Sequence, residues 1–502
     1  MASPRVVIIG AGFSGICMAA RLRAAGIETF TIVEKASALG GTWRDNTYPG
    51  AACDVPSHLY SFSFSLHPDW SHRYSAQPEI EAYLLRVARE HDLLSRIRLG
   101  TEIASMRFDE AAASWTLRTV RGEAIVADVV VSAVGQLNRP ALPAIPGRDE
   151  FQGPAFHSAR WRHDVDLAGK NVAVVGNGAS AIQFVPAIAP RAGRVTIYQR
   201  SAHWIVPRGD REYAQWERWV FRRAPAVMRA HRSSIYWRLE FNVLGLKPDG
   251  WISKFGEWRA RAHLEDSIPP GPLRELLTPD FAIGCKRVLI SDDYYPALLR
   301  ESVEVTGAPI ERVNDDSVST ADGVRRPTDV VIYATGFQST QFLAPIEIAG
   351  RRGIRLHDAW NEGPEAMLGM TVPGFPNFFM TYGPNTNLGH NSIVYMIERQ
   401  ARYVVECVRA LASGRIDWID VRPEAARRFN RELQAELART VWARGCSNWY
   451  KDASGKVVSN WSGSTQSYRR NTERVRWEDY DTGRRGRSEA EVSPVPNARV
   501  RV

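Results

Sequence analysis

The apolar positions of this chain fall into short runs separated by glycine turns and by amphipathic stretches. Val6-Val7-Ile8-Ile9 is followed by Gly10-Ala11-Gly12-Phe13-Ser14-Gly15; residues 16–25 then carry a helical pattern, and Thr29 to Val33 is apolar again. A short apolar run bounded by a glycine turn reads as a buried strand, so the predicted order is strand, turn, helix, strand. The same order returns downstream, with Asn171 to Val175 as the strand, Gly176-Asn177-Gly178-Ala179-Ser180-Ala181 as the turn and Val195 to Tyr198 as the next strand. A third buried strand is predicted over Asp329-Val330-Val331-Ile332-Tyr333, ahead of Ala334-Thr335-Gly336. Alternating β and α units of this kind predict parallel sheets covered by helices.

The fold class expected is therefore α/β, with two Rossmann-like dinucleotide-binding domains. Between the second unit and Gly284 the texture changes. Residues 206–282 are rich in Trp and Arg and read mostly as helix, with breaks at Pro225, Pro248 and Pro269-Pro270. They are expected to form a helical insertion in the second domain. From Gly483-Arg484-Arg485-Gly486-Arg487 onward apolar periodicity is missing, which predicts a mobile tail. The expected division is 1–148 and 328–480 for the two parts of the first domain, 149–205 and 283–327 for those of the second, 206–282 for the insertion and 481–502 for the tail.

Composition supports this picture. A chain of 502 residues is long for one domain, and 44% hydrophobic with 24% charged residues is a globular balance that excludes a disordered chain, a collagen or a coiled-coil rod. No apolar run reaches the roughly 18 residues of a membrane-spanning helix. The first residues read as a strand, without a signal peptide's apolar core and cleavage site, so the cytoplasm is the expected location. The net charge of +9 is uneven: residues 205–270 carry twelve basic against eight acidic side chains, and 481–502 carry five against three. The remainder is close to neutral, which argues against a nucleic-acid partner. Cys17, Cys53, Cys285, Cys407 and Cys446 lie far apart with no Cys-x-x-Cys pair, which excludes common zinc spacings and a dithiol redox pair and fits a reducing compartment.

The two turns want different nucleotides. In the first, Gly10 makes the turn, Gly12 admits a pyrophosphate, Phe13 and Ser14 open the helix, and Gly15 packs helix on strand. Glu34 stands nineteen positions after Gly15, followed by Lys35. A carboxylate there accepts from ribose hydroxyls and repels a 2′-phosphate, so this site suits the adenosine half of FAD or NAD. In the second turn the third small residue is Ala181, and nineteen positions on stands Arg200, followed by Ser201. A fixed cation there pairs with the 2′-phosphate of NADP. Two sites of opposite preference imply a relay in which FAD sits in the first and NADPH delivers hydride from the second.

Flavoproteins with two dinucleotide domains include disulfide reductases, ferredoxin reductases and monooxygenases; the missing cysteine pair weighs against the first. Phe151-x-Gly153-x-x-x-His157-x-x-x-Trp161 resembles the fingerprint of Baeyer–Villiger monooxygenases. Gly40-Gly41-Thr42-Trp43, Tyr48-Pro49-Gly50-Ala51-Ala52-Cys53-Asp54, Gly284-Cys285-Lys286-Arg287 with Tyr294-Tyr295, and Asp329 to Gly336 are also similar to family segments. Gly383-Pro384-Asn385-Thr386-Asn387 and Gly445-Cys446-Ser447-Asn448-Trp449-Tyr450 resemble the hydroxyacetophenone-monooxygenase branch. The resemblance spans about residues 5–475. It departs from the pattern at Arg162, where the family usually continues into Pro or Asp, while Trp161 separates it from heteroatom-oxidising relatives.

This resemblance implies an FAD- and NADPH-dependent enzyme that uses O2 to turn a small ketone into an ester or lactone through a C4a-peroxyflavin anion. Such chemistry wants a permanent cation beside the flavin, a role the resemblance places on Arg287, with Asp54 holding it. Taken alone, Asp54 reads as a turn residue and Arg287 as a surface base. The resemblance also implies Lys286 beside Arg200 and Ser201 at the 2′-phosphate, and Gly41, Thr42, Trp43, Tyr60 and Ile103 around the flavin. Trp449 is either a wall near the nicotinamide or a core aromatic. His157 is expected to make a structural hydrogen bond between the domains, with an effect on domain motion. The alternative is N- or S-oxygenation on the same fold. The Arg- and Trp-rich stretch 216–238 either lies on an anionic membrane or caps the second domain.

Overall fold

The computed structural model of the chain describes residues 3–485 other than 249 and 444. Ten short strands build its two parallel sheets: Val6–Ile9 (β1), Phe30–Val33 (β2), Ile97–Arg98 (β3), Val129–Ser132 (β4), Ala155–His157 (β5), Asn171–Val175 (β6), Arg194–Tyr198 (β7), Val303–Thr306 (β8), Val330–Tyr333 (β9) and Phe378–Met380 (β10). The first sheet runs β10–β4–β1–β2–β3 and the second β8–β7–β6–β9–β5. In each, the strand ahead of the glycine turn is central and almost wholly buried. Helices pack on one face only; the other is covered by an antiparallel sheet, through Met106, Trp115 and Leu117 in the first unit and Val313 and Val318 in the second, which corrects the expectation that helices cover the sheets.

The helix Phe13–Ala24 (α1) follows the first turn, starting three residues earlier than the apolar pattern predicts, because Phe13, Ser14 and Gly15 are already packed inside. Its partner in the second unit is Ala181–Ile188 (α2). The insertion forms Gln215–Arg223 (α3), Pro225–Phe241 (α4), Trp251–Ser267 (α5) and Pro272–Leu277 (α6). Pro225 opens α4 at a position where its missing N–H removes no helical bond.

Two further expectations are corrected. The insertion does not belong to the second unit alone: Phe221, Met228, Ile235 and Tyr236 enter the core of the first unit, whereas Leu264, Ile268 and Leu277 enter that of the second. The connection is long enough to cross between the layers, and backbone bonds from Arg73 to Arg211 and from Tyr213 to Ser71 (both 2.9 Å) anchor its first segment on the first unit. The tail also begins later than predicted, since Tyr480–Gly483 pairs antiparallel with Trp418–Val421. Backbone pairing can order a segment whose side chains show no period. The rest of the predicted tail, 486–502, lies outside the described residues.

Candidate active site

The first turn is closed by sterics. Gly10 has φ +107°, and a Cβ on it would stand 2.7 Å from the Ala133 carbonyl oxygen at the end of β4; one on Gly15 would stand 1.9 Å from the Gly10 carbonyl oxygen. Helix α1 begins there with no side-chain cap and no acid in its first turn, so its free N–H groups and positive dipole end stay available. At the end of β2 the Glu34 carboxylate accepts from the backbone N–H groups of Ala11 (2.9 Å) and Ala36 (3.0 Å) and from Arg44 (3.1 Å). A carboxylate has about four acceptor positions, so one remains for a ligand hydroxyl. Lys35 donates to Asn138 (2.6 Å), and Trp43 donates to the Tyr60 hydroxyl (3.1 Å), whose ring packs on Phe13.

The second turn repeats the backbone and changes the charge. Gly176 has φ +101° and its absent Cβ would stand 2.6 Å from the Ala334 carbonyl oxygen. Asn177 donates to Gln199 (2.9 Å) and to the Ser201 carbonyl (3.0 Å), tying the turn to the end of β7. Lys286 donates to the Ser201 hydroxyl (2.6 Å). Burial and the neighbouring Arg200 charge hold the Lys286 ammonium below its ordinary pKa, and burial with Lys286 pushes His203 down to about 4. Two cations that repel each other, with no ion-pair partner among the described residues, leave a place that a phosphate dianion would neutralise.

Between the turns lies Arg287. Its Nε (2.8 Å) and Nη2 (2.5 Å) both donate to one Asp54 oxygen across 233 residues of sequence, and that pairing raises the Arg287 pKa further above its ordinary value. Both side chains are about one-third exposed, toward a cavity of about 1180 Å³ that both turns line. Such a volume exceeds the usual range for one small-molecule site and suits two nucleotides. The Trp449 ring lines it too, packs on Tyr450 at 4.4 Å, and its carbonyl accepts from Ser339 (3.0 Å).

The cavity brings together Gly10, Gly12, Phe13, Ser14, Glu34, Lys35, Gly41, Thr42, Trp43, Asp54, Tyr60 and Ile103 from the first unit's side. From the second come Gly176, Asn177, Gly178, Ala179, Ser180, Arg200, Ser201, Lys286 and Arg287. Gly15 and Ala181 are corrections: neither lines the cavity, because each is turned inward to pack its helix on its strand. His157, Trp161 and Arg162 also lie outside it. The His157 ring accepts from the Ala159 N–H (3.1 Å), and burial lowers its pKa to about 4; Trp161 packs between Phe156 and Phe184, and Arg162 pairs with Asp164 at the surface.

The reading of the cysteines is corrected as well. Cys285 and Cys446, 161 residues apart, form a disulfide; Cys17, Cys53 and Cys407 are buried free thiols. Separation along the chain says nothing about approach in space. The bond, with Asn448 donating to the Cys285 carbonyl (3.0 Å), ties the loop carrying Trp449 to Lys286-Arg287. Sequence reasoning also missed Gln183, a helix-interior residue with no motif signal. It accepts from Tyr48 (2.9 Å) and donates to the Ala52 carbonyl (3.0 Å), clamping the segment that leads to Asp54 onto α2.

Residues 3–239 match the flavin-binding monooxygenase-like family. A Baeyer–Villiger monooxygenase of Streptomyces coelicolor is 44% identical over 478 residues, which cover 95% of this chain and 92% of that one. Among solved structures, a cyclohexanone monooxygenase from Rhodococcus sp. Phi1 bound to NADP+ is 28% identical with a TM-score of 0.87, covering 96% of this chain and 99% of that one. OTEMO in complex with FAD and NADP is 27% identical with a TM-score of 0.85, covering 94% and 98%.

Proposed function

The chain belongs to the Baeyer–Villiger monooxygenases, and from that premise we propose that it inserts one oxygen atom of O2 beside a ketone carbonyl at the expense of NADPH. Ketone, O2, NADPH and a proton become ester or lactone, NADP+ and water. The Asp54–Arg287 pair at the junction of the two turns is the observation that carries this reading. FAD fits the first turn, whose helix end and Glu34 suit a pyrophosphate and a ribose, and NADPH fits the second, through Arg200, Ser201 and Lys286. Bound flavin would supply the hydride acceptance and O2 activation that side chains lack.

The chain's own residues do the rest. Arg287 keeps its charge at every working pH and faces the cavity, where it stabilises negative charge developing on oxygen. Asp54 is a positioning residue that aims the guanidinium. Trp449 lines the same cavity, and its loop is tied to the segment carrying Arg287 through the Cys285–Cys446 bond and Asn448. The division into two interrupted dinucleotide domains with an insertion belongs to the same proposal, as does the cytoplasm, where NADPH is regenerated; no described helix is long and apolar enough to cross a membrane.

The test is Arg287→Ala in the FAD-loaded enzyme. NADPH-driven flavin bleaching without oxygen should stay within about tenfold of the parent, whereas ester yield should drop by roughly 100- to 1000-fold. Normal ester yield from that variant would overturn the role of Arg287. A parent enzyme that makes only sulfoxides or N-oxides from a mixed panel of ketones, thioethers and amines would return the alternative chemistry.

A further inference from the structure

Trp216, Trp219, Trp237, Trp251 and Trp258 stand 57–69% exposed, all on α3, α4 and α5, while every other described tryptophan is buried or half-buried. Those on α4 and α5 form one ridge with two exposed phenylalanines. Trp237 and Phe241 lie one turn apart on α4, the Phe241 ring is 6.1 Å from Trp251, and Phe255 stacks on Trp258 at 5.6 Å. Trp251, Phe255 and Trp258 have the i, i+4, i+7 spacing of a core-facing stripe. The core, however, is met by the opposite face of α5, through Ser253, Ala260 and Leu264.

The unpaired charges set among these rings are basic, while two exposed acids, Glu265 and Asp266, follow at the C-terminal end of α5. Arg238, Lys254 and Arg259 adjoin Trp237, Phe255 and Trp258 in sequence, are exposed, and make no ion pair among the described residues. The acid on α5 beside them, Glu257, is already paired with Arg261 at 3.0 Å. On α3, Arg223 lies over the Trp219 ring.

We propose that this face of the insertion docks on an anionic lipid bilayer. Indole rings settle at the level of the headgroups, and flanking Arg and Lys take the lipid phosphates. A second copy of the chain fits less well, since a two-fold contact would set these cations against one another. No described helix is long and apolar enough to span, so the docking proposed is on the membrane surface and not through it. The inner side of the same segment reaches the catalytic region: Glu240 on α4 accepts from Asn391 (2.7 Å), which lines the cavity.

The experiment is co-sedimentation of the full-length, FAD-loaded protein with vesicles of phosphatidylglycerol and phosphatidylcholine in equal parts, and with phosphatidylcholine alone. Binding should be to the anionic vesicles and should be largely released by high salt. Replacing Arg238, Lys254 and Arg259 together by Gln should weaken partition on the order of 100-fold, at about fivefold per charge. Trp251→Ser with Trp258→Ser should weaken it at least ~10-fold. Both variants should oxidise NADPH with a water-soluble ketone at the parent rate, which shows that they fold. Failure to pellet with anionic vesicles, equal pelleting with phosphatidylcholine, or variants that partition like the parent would overturn the proposal. So would a concentration-dependent dimer, abolished by the tryptophan pair, in a protein that ignores vesicles.

Discussion

Gly10 and Gly176 occupy the same place in the two sheets, each at positive φ and each pressed on an alanine carbonyl at the end of the neighbouring strand. Past that point the units diverge. Helix α1 runs twelve residues and admits no side chain at Gly15; α2 runs eight, contains Pro186 and accepts Ala181 in the corresponding place. Glu34 holds three internal hydrogen bonds before any ligand arrives, whereas Arg200 and Lys286 repel each other and make no ion pair among the described residues, Asp280 acting on Lys286 only at longer range. The first site meets its ligand with a largely satisfied carboxylate and free backbone N–H groups, so it grips by shape. The second is charged, so it attracts an anion through solvent and releases it again. A resident flavin and an exchanging NADPH need that division.

The largest expected effect comes from swapping the third residue of each turn. Gly15→Ala forces a Cβ into the Gly10 carbonyl and should cost on the order of 4 kcal/mol, with loss of flavin absorbance from the purified protein. The reciprocal Ala181→Gly should cost about 1 kcal/mol and keep the flavin. Flavin retention by Gly15→Ala would erase the asymmetry.

Acid should then separate the units. Burial holds His58, packed among Tyr213, Phe221 and His231, at a pKa of about 3, and His157, on the edge strand β5, at about 4. With ordinary values near 6.5, the unfolded chain binds these protons first. Stability is therefore complete above pH 6.5 and falls as pH drops, by roughly 1.4 kcal/mol per unit for each histidine, until each folded pKa is reached. Denaturant titrations from pH 7.5 down to 4.5 should show this slope, and His58→Phe should flatten it at least as much as His157→Asn. A slope unchanged by both substitutions would deny the assignment.

A smaller effect tests the charge contrast directly. Arg200→Ala should lower the preference in kcat/KM for NADPH over NADH by about 10- to 100-fold while leaving NADH turnover nearly unchanged. A parent that uses both coenzymes equally would break the comparison. Smallest is the tether: Cys446→Ser should raise the KM for NADPH by no more than about fivefold, a change near 1 kcal/mol, because Asn448 still holds the loop. Thiol titration of the unfolded, unreduced parent should find three free cysteines.

Much of the site was legible because it is local. A strand, a glycine turn and a helix are dictated by sterics among near neighbours, and the side chain nineteen residues further on falls at the next strand's end whatever surrounds it. Glu34 and Arg200 could thus be assigned from spacing, and the longer motifs around Asp54, Arg287 and Trp449 from their resemblance to a family. Arg44 and Gln183 had no such signal, since their partners depend on how separate segments dock. Gly15 and Ala181 belong to the same turns but stand against the strand and not the ligand, the packing role that the spacing already gives to the third small residue.

By itself, then, the sequence determined the two turns, their opposite charges and the chemistry those charges select. The tertiary structure decided what lies between them. Asp54 and Arg287 meet across 233 residues, Cys285 and Cys446 across 161, and the insertion crosses from one core to the other. It also decided that the aromatic stripe of α5 is exposed while Ser253, Ala260 and Leu264 opposite it face the core. Helical periodicity defines the two faces of a helix; which of them is buried depends on the surface it lands on, and that surface is made by residues far away in the chain.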